Sequence, residues 1–144
     1  MLMSKQDVFN KVSTHLLKQK EVASNMRGCA YRGIKRNEIT DPDGNLSFVD
    51  VCLKCAVGCL IPDSIYEPRM EGRGVDWLLK EYPKFKEQFQ CEVIWNKGYV
   101  YDDSKDILTA LQYVHDCRKV QEWKQELSAV AVVFGVSGHI LNSL

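Results

Sequence analysis

Three of the chain's six cysteines fall within twelve residues, Cys52 to Asp63, which read CLKCAVGCLIPD. Cysteine does chemistry as a thiolate, either as a metal ligand or as a nucleophile. The metal reading starts from Cys52-x2-Cys55, the spacing of half a zinc knuckle. Cys59 would add a third thiolate, and Cys29 or His115 a fourth ligand for a tetrahedral ion. The nucleophile reading starts from Cys55 at the beginning of a short helix, where the dipole favours a thiolate. It then needs a base and a group to orient that base. His115 is the candidate base, with Asp116 or Gln112 on the same helix to hold it. His15 and His139 lie on other segments. A third reading asks for no chemistry. On a helix, Cys52, Cys55 and Cys59 share one face, and thiols pack well as small apolar groups.

Other chemistry leaves weaker marks. Tyr31-Arg32, with Lys35 and Arg36 following, could stack on and neutralise a nucleic acid strand. Residues 1–40 carry eight lysines and arginines against three acids, so nucleic acid contact would run through residues 18–36. A solvated helix end and loop explain the same charges. Glu67, Glu71 and Asp76 could hold a hard cation or simply face water. No phosphate-binding glycine loop, HExxH or GxSxG occurs. Net charge is zero, which excludes a global field drawing the chain to nucleic acid or a membrane. The longest apolar run, residues 129–136, is too short to span a bilayer. The first twenty residues lack the apolar centre of a secretory signal, so a cytoplasmic chain with reduced thiols is expected.

These residues must be positioned by one domain, given 144 residues, 45% apolar and 26% charged. Ser4 with Asp7 three residues on predicts a helix start, and Val8, Phe9, Val12, Leu16 and Leu17 form its apolar stripe to Lys20. Residues 28–34 and 46–52 read as strands. The DPDGN between them has turn chemistry, with Pro42 presetting its dihedral and Gly44 accepting positive φ. Such a lone hairpin is expected to pack on helices. Residues 54–61 read as a short helix stopped by Pro62, and residues 62–74 as loop. A helix is expected at 74–82, a further turn from Pro83, and a strand pair at 91–101. Asp103 and Asp106 open a helix to Cys117, with Ile107, Leu108, Leu111, Val114 and His115 on its apolar side. The last helix, 120–134, should end at Gly135 in the left-handed position that glycine favours.

Four motifs together are distinctive: Cys29-x-Tyr31-Arg32-Gly33, KCAVGCLIPD (54–63), Tyr66-x-Pro68-x-Met70-Glu71-Gly72, and LQYVHD (111–116) followed by Trp123. They resemble a group of small proteins of bacteriophages and bacterial mobile elements with no established activity. The resemblance runs from Cys29 to the last helix. It implies a protein made in a bacterial cytoplasm. Within that group, positions matching Cys29, Cys55, His115 and Asp116 recur, while those matching Cys52 and Cys59 vary. The stretch between the strands is longer here than in the group.

The expectation is therefore an α+β domain, about five helices around a β-hairpin. Residues 1–20 form the first helix, 28–52 the hairpin, and 53–144 a mainly helical remainder. The resemblance implies an accessory protein that binds another macromolecule, a protein partner first, with no membrane and no cofactor. The alternatives are a cysteine hydrolase or transferase using Cys55, His115, Asp116 and Gln112, and a zinc-stabilised module using Cys29, Cys52, Cys55 and Cys59.

Overall fold

The structure, a computed structural model, describes residues 1–25, 28–94 and 106–144. Its first element is α1 (Lys5–Gln19). Ser4 accepts from the Asp7 N–H while the Asp7 carboxylate accepts from the Ser4 N–H, closing the predicted capping box. Val8, Phe9, Val12 and Leu16 are fully buried, so the stripe read from the sequence is the face that meets the core. Among the described residues there follow β1 (Ser24–Asn25), β2 (Gly28–Cys29), β3 (Arg32–Thr40) and β4 (Leu46–Lys54). The helices α2 (Val75–Glu81), α3 (Pro83–Lys86), α4 (Cys91–Ile94), α5 (Ile107–Cys117) and α6 (Trp123–Phe134) complete an α+β architecture. Among the described residues two antiparallel ribbons form its sheets, β1 with β2 and β3 with β4.

The helical half follows the sequence closely. Asp106 caps α5 by accepting from the Thr109 N–H at 2.8 Å. Ile107, Leu108, Leu111 and Val114 are buried. Trp123, Leu127, Val130 and Ala131 bury the matching side of α6, and Gly135 ends it at φ 66°. Both helices pack on α1, and together they hold the core. Residues 120–122, expected within the last helix, form a 3-10 turn leading into it. Cys91–Ile94 is helical where a strand was expected. The rest of that expected strand pair, and Asp103, lie outside the described residues.

The hairpin departs from expectation in three ways. First, the strand expected at 28–34 is divided. Gly28–Cys29 pairs with Ser24–Asn25, and a new strand begins at Arg32. Second, that strand runs to Thr40, through the polar Lys35–Glu38 stretch that read as connection. It pairs with β4 from Arg32 opposite Lys54 to Thr40 opposite Leu46. The predicted turn closes it: Gly44 sits at φ 84° and donates to the Asp41 carbonyl. Third, the ribbon does not lie on the helices. Ile34, Ile39, Leu46, Phe48 and Val49 are all exposed, Ile34 at 66% and Phe48 at 53%. A ribbon with no buried face is under no pressure to alternate polar and apolar residues, so its strand length left no pattern in the sequence.

Only the root of the ribbon is fixed. The Lys54 N–H donates to Gln19 Oε1 at 3.0 Å, and Gln19 and His15 both reach the Lys54 carbonyl, at 2.9 and 2.7 Å. Gly33 passes so close to β1 that a Cβ there would lie 2.3 Å from the Ser24 carbonyl oxygen.

Candidate functional site

The expected helix at 54–61 is a turn in the structure, with a 3-10 segment only at Gly58–Leu60. Cys52, Cys55 and Cys59 therefore do not share a helix face. Cys52 is on exposed β4 opposite Ile34. Cys55 is fully buried, and its sulfur accepts from the Gly58 N–H at 3.2 Å. Cys59 is half-buried and donates to the Ala56 carbonyl at 3.1 Å. The tight fit of this turn fixes Gly58, where a Cβ would stand 2.1 Å from the Tyr31 carbonyl oxygen.

Burial raises the Cys55 thiol far above the usual range, and raises Cys59 to about 12. Neither is poised as a thiolate at neutral pH. No dipole compensates at Cys55, because the turn that follows it is a single 3-10 segment rather than an α-helix.

His115 is also unlike a catalytic base. It is 1% exposed and lies with its ring 5.6 Å from that of Trp123. The Ala23 N–H donates to Nε2 at 3.0 Å, which places the ring proton on Nδ1. Nδ1 then donates to Asp116 Oδ1 at 2.8 Å. Both nitrogens are committed, so His115 has no free lone pair with which to take a proton from a thiol. The catalytic set Cys55, His115, Asp116 and Gln112 is therefore near in space but wired for support. Gln112 Oε1 accepts from the Val57 N–H at 2.9 Å, and its amide donates to Asp116 Oδ1 at 2.8 Å.

The cluster that does form is Cys29, His115 and Asp116. Their sulfur, nitrogen and oxygen atoms lie within 4.8 Å of one another, and they are the single such group of potential metal ligands among the described residues. Cys52, Cys55 and Cys59 do not join it. Partial burial of the Cys29 sulfur, then the charge and hydrogen bonding of Asp116, push its thiol up to about 11. Cys29 is thus a protonated neighbour of the carboxylate.

Beside this cluster opens a cavity of about 280 Å³. Its walls come from three of the four sequence motifs: Cys29 and Tyr31, Glu71 with the Arg73 that follows, and Gln112 with Asp116. Tyr31 is buried rather than offered for stacking, and its hydroxyl donates to the Arg73 carbonyl. Glu71, weighed from sequence as a loop carboxylate that could hold a hard cation or face water, accepts from the Tyr31 N–H at 2.8 Å, the Arg32 N–H at 3.1 Å and the Tyr66 hydroxyl at 2.7 Å. Arg73 carried no signal in the sequence. Its guanidinium lies over the Trp77 ring at 5.0 Å.

Of the basic residues proposed to meet nucleic acid, three are matched by an acid, Lys18 and Lys20 form no ion pair among the described residues, and Arg27 lies outside them. Arg32 pairs with Asp63 at 2.6 Å and covers the Tyr66 ring, Lys35 pairs with Glu21 at 2.5 Å, and Arg36 with Asp50 at 3.1 Å. Among the described residues no helix is long and apolar enough to cross a membrane. No known protein family, curated protein or solved structure matches the chain.

Proposed function

We propose that this protein works by binding, and that its partner is another protein met by the β3–β4 hairpin. The observation that carries the reading is the ribbon's exposure: nine residue pairs with Ile34, Leu46, Phe48 and Val49 open to solvent. Exposed apolar side chains gathered on one element mark interaction surfaces more often than isolated ones do. The ribbon's pairing pattern sets Ile34, Leu46 and Phe48 on one face, since residues opposite in an antiparallel pair share a side. Its basic residues Lys35 and Arg36 are paired, with Glu21 outside the ribbon and Asp50 across it, which suits an uncharged protein surface better than a phosphate backbone. Unpaired ribbon edges also allow a partner strand to add by backbone hydrogen bonding.

The resemblance to phage and mobile-element proteins supports an accessory role in a bacterial cytoplasm. The stretch that is longer here than in that group is the ribbon itself, which supports a partner particular to this chain. The hydrolase reading loses its support with a sealed Cys55 and a fully bonded His115.

A photo-crosslinking side chain at position 48, compared with one at exposed Lys84, tests the reading in a bacterial host. The expected result is one discrete adduct from position 48 that is absent from position 84 and lost in the Ile34→Ser variant. No adduct, or the same adducts from both positions, would overturn it. An adduct of twice the chain mass would make the partner a second copy.

A further inference from the structure

We infer that the cavity beside α5 is a recognition pocket for a single organic cation, a guanidinium or primary ammonium group, with Asp116 as its counter-ion. The argument is one of charge balance. Asp116 is held by the neutral donors His115 Nδ1–H and Gln112 Nε2–H, with the protonated Cys29 thiol alongside. Among the described residues no lysine or arginine forms an ion pair with it. Its side chain is 34% exposed, so the charge is presented to the cavity rather than buried. The second carboxylate on the wall, Glu71, is likewise satisfied by neutral groups, two backbone amides and the Tyr66 hydroxyl. Against these two negative charges the wall sets one guanidinium, Arg73, which is drawn over Trp77. Among the described residues the charged side chains of the wall are thus net negative, two carboxylates to one guanidinium.

Size narrows the ligand. About 280 Å³ lies just below the range of pockets that hold drug-sized molecules. It admits the head of one side chain or a small amine. A metal ion fits less well. The Ala23 N–H occupies His115 Nε2, so Nδ1 keeps its proton and offers no lone pair. The Cys29 thiol is protonated at neutral pH, and only the carboxylate remains as a ready ligand where zinc takes four. An organic cation needs only the carboxylate and a dry wall, which Ala30 and Val75 provide. A carboxylate of this kind grips a guanidinium through charge-assisted, directional hydrogen bonds.

The test is a titration of the full chain with methylguanidinium followed by amide NMR, with N-methylurea as the neutral isostere. Expected are saturable shifts at the Gly72 and Gly74 amides and the Gln112 side-chain amide, with none from N-methylurea. Asp116→Asn, which keeps an acceptor for His115 and Gln112, should weaken binding at least about tenfold, the worth of a hydrogen bond to a charged group. Nuclear Overhauser contacts from the ligand methyl to Val75 and Ala30 in the unaltered chain test the same claim without a variant. N-acetyl-arginine methylamide separates the sources. Binding at least as tight as methylguanidinium assigns the pocket to an arginine of a polypeptide, and binding of the free cation alone assigns it to a small amine. Absent or non-saturable shifts, shifts unchanged in a folded Asp116→Asn, or stoichiometric zinc uptake at Cys29 would each overturn the inference.

Discussion

β4 and α5 are built from similar material and meet opposite environments. LSFVDV in β4 and ILTALQYV in α5 are both rich in Leu, Val and other large apolar residues. In α5 nearly every one is buried, while in β4 Leu46, Phe48 and Val49 stand in solvent. Composition does not separate them; geometry does. α5 presents one side to α1 and α6, so its 3.6-residue period sorts apolar from polar. The ribbon is held at its root, and among the described residues neither of its faces is buried along its length. Apolar residues on α5 stabilise the fold, and those on β4 are available for something else.

The sharpest test of that boundary is three residues wide. Cys52 ends the exposed part of β4, and Cys55 lies sealed just past it. With iodoacetamide at neutral pH, Cys55 should react at least about a thousandfold more slowly than Cys52, because it is reached only through unfolded molecules. Peptide mass spectrometry over time reads both rates. Similar rates would erase the distinction between arm and core.

Next in size is Leu111→Ala, which removes a fully buried side chain from the α5 face. Thermal and urea denaturation should show a loss of about 2–5 kcal/mol. Gly58→Ala probes the turn that joins the two regions. Its Cβ would meet the Tyr31 carbonyl oxygen at 2.1 Å, and the forced backbone shift should cost about 1–3 kcal/mol in the same denaturation experiment. Smallest of all is Phe48→Ser on the ribbon. Although it deletes a large aromatic, stability should change by no more than about 0.5 kcal/mol, since 53% exposure leaves little burial to lose. A loss near that of Leu111→Ala would mean the ribbon folds back onto the domain.

The candidate site shows where sequence reading stops. Cys29, Gln112, His115 and Asp116 could all be named from residue type, and all four do meet, around Asp116. Their roles came out differently. His115 was read as a base because Asp116 and Gln112 stand beside it on the same helix to orient it. What decides its role is a backbone N–H from Ala23, 92 residues away in the chain, on its other nitrogen. Cys55 was read as a helix-start thiolate because a turn before Pro62 resembles a short helix. The turn is too short to form one, and burial then governs the thiol. Arg73 gave no signal because an arginine between two loop glycines has no periodicity to betray its place on a cavity wall.

Local chemistry along the sequence determined the ends and faces of the helices and the position of the hairpin turn. Ser4 and Asp7 start α1, Asp106 starts α5, Gly135 stops α6, and Gly44 closes the ribbon, each through hydrogen bonds or dihedrals spanning a few residues. Only the tertiary structure decided that the ribbon's apolar residues are exposed, that Cys55 is sealed, and that Asp116 lines a cavity with no lysine or arginine paired to it among the described residues. Those outcomes depend on burial and on partners from distant segments, and such contacts leave no regular spacing in the chain that makes them.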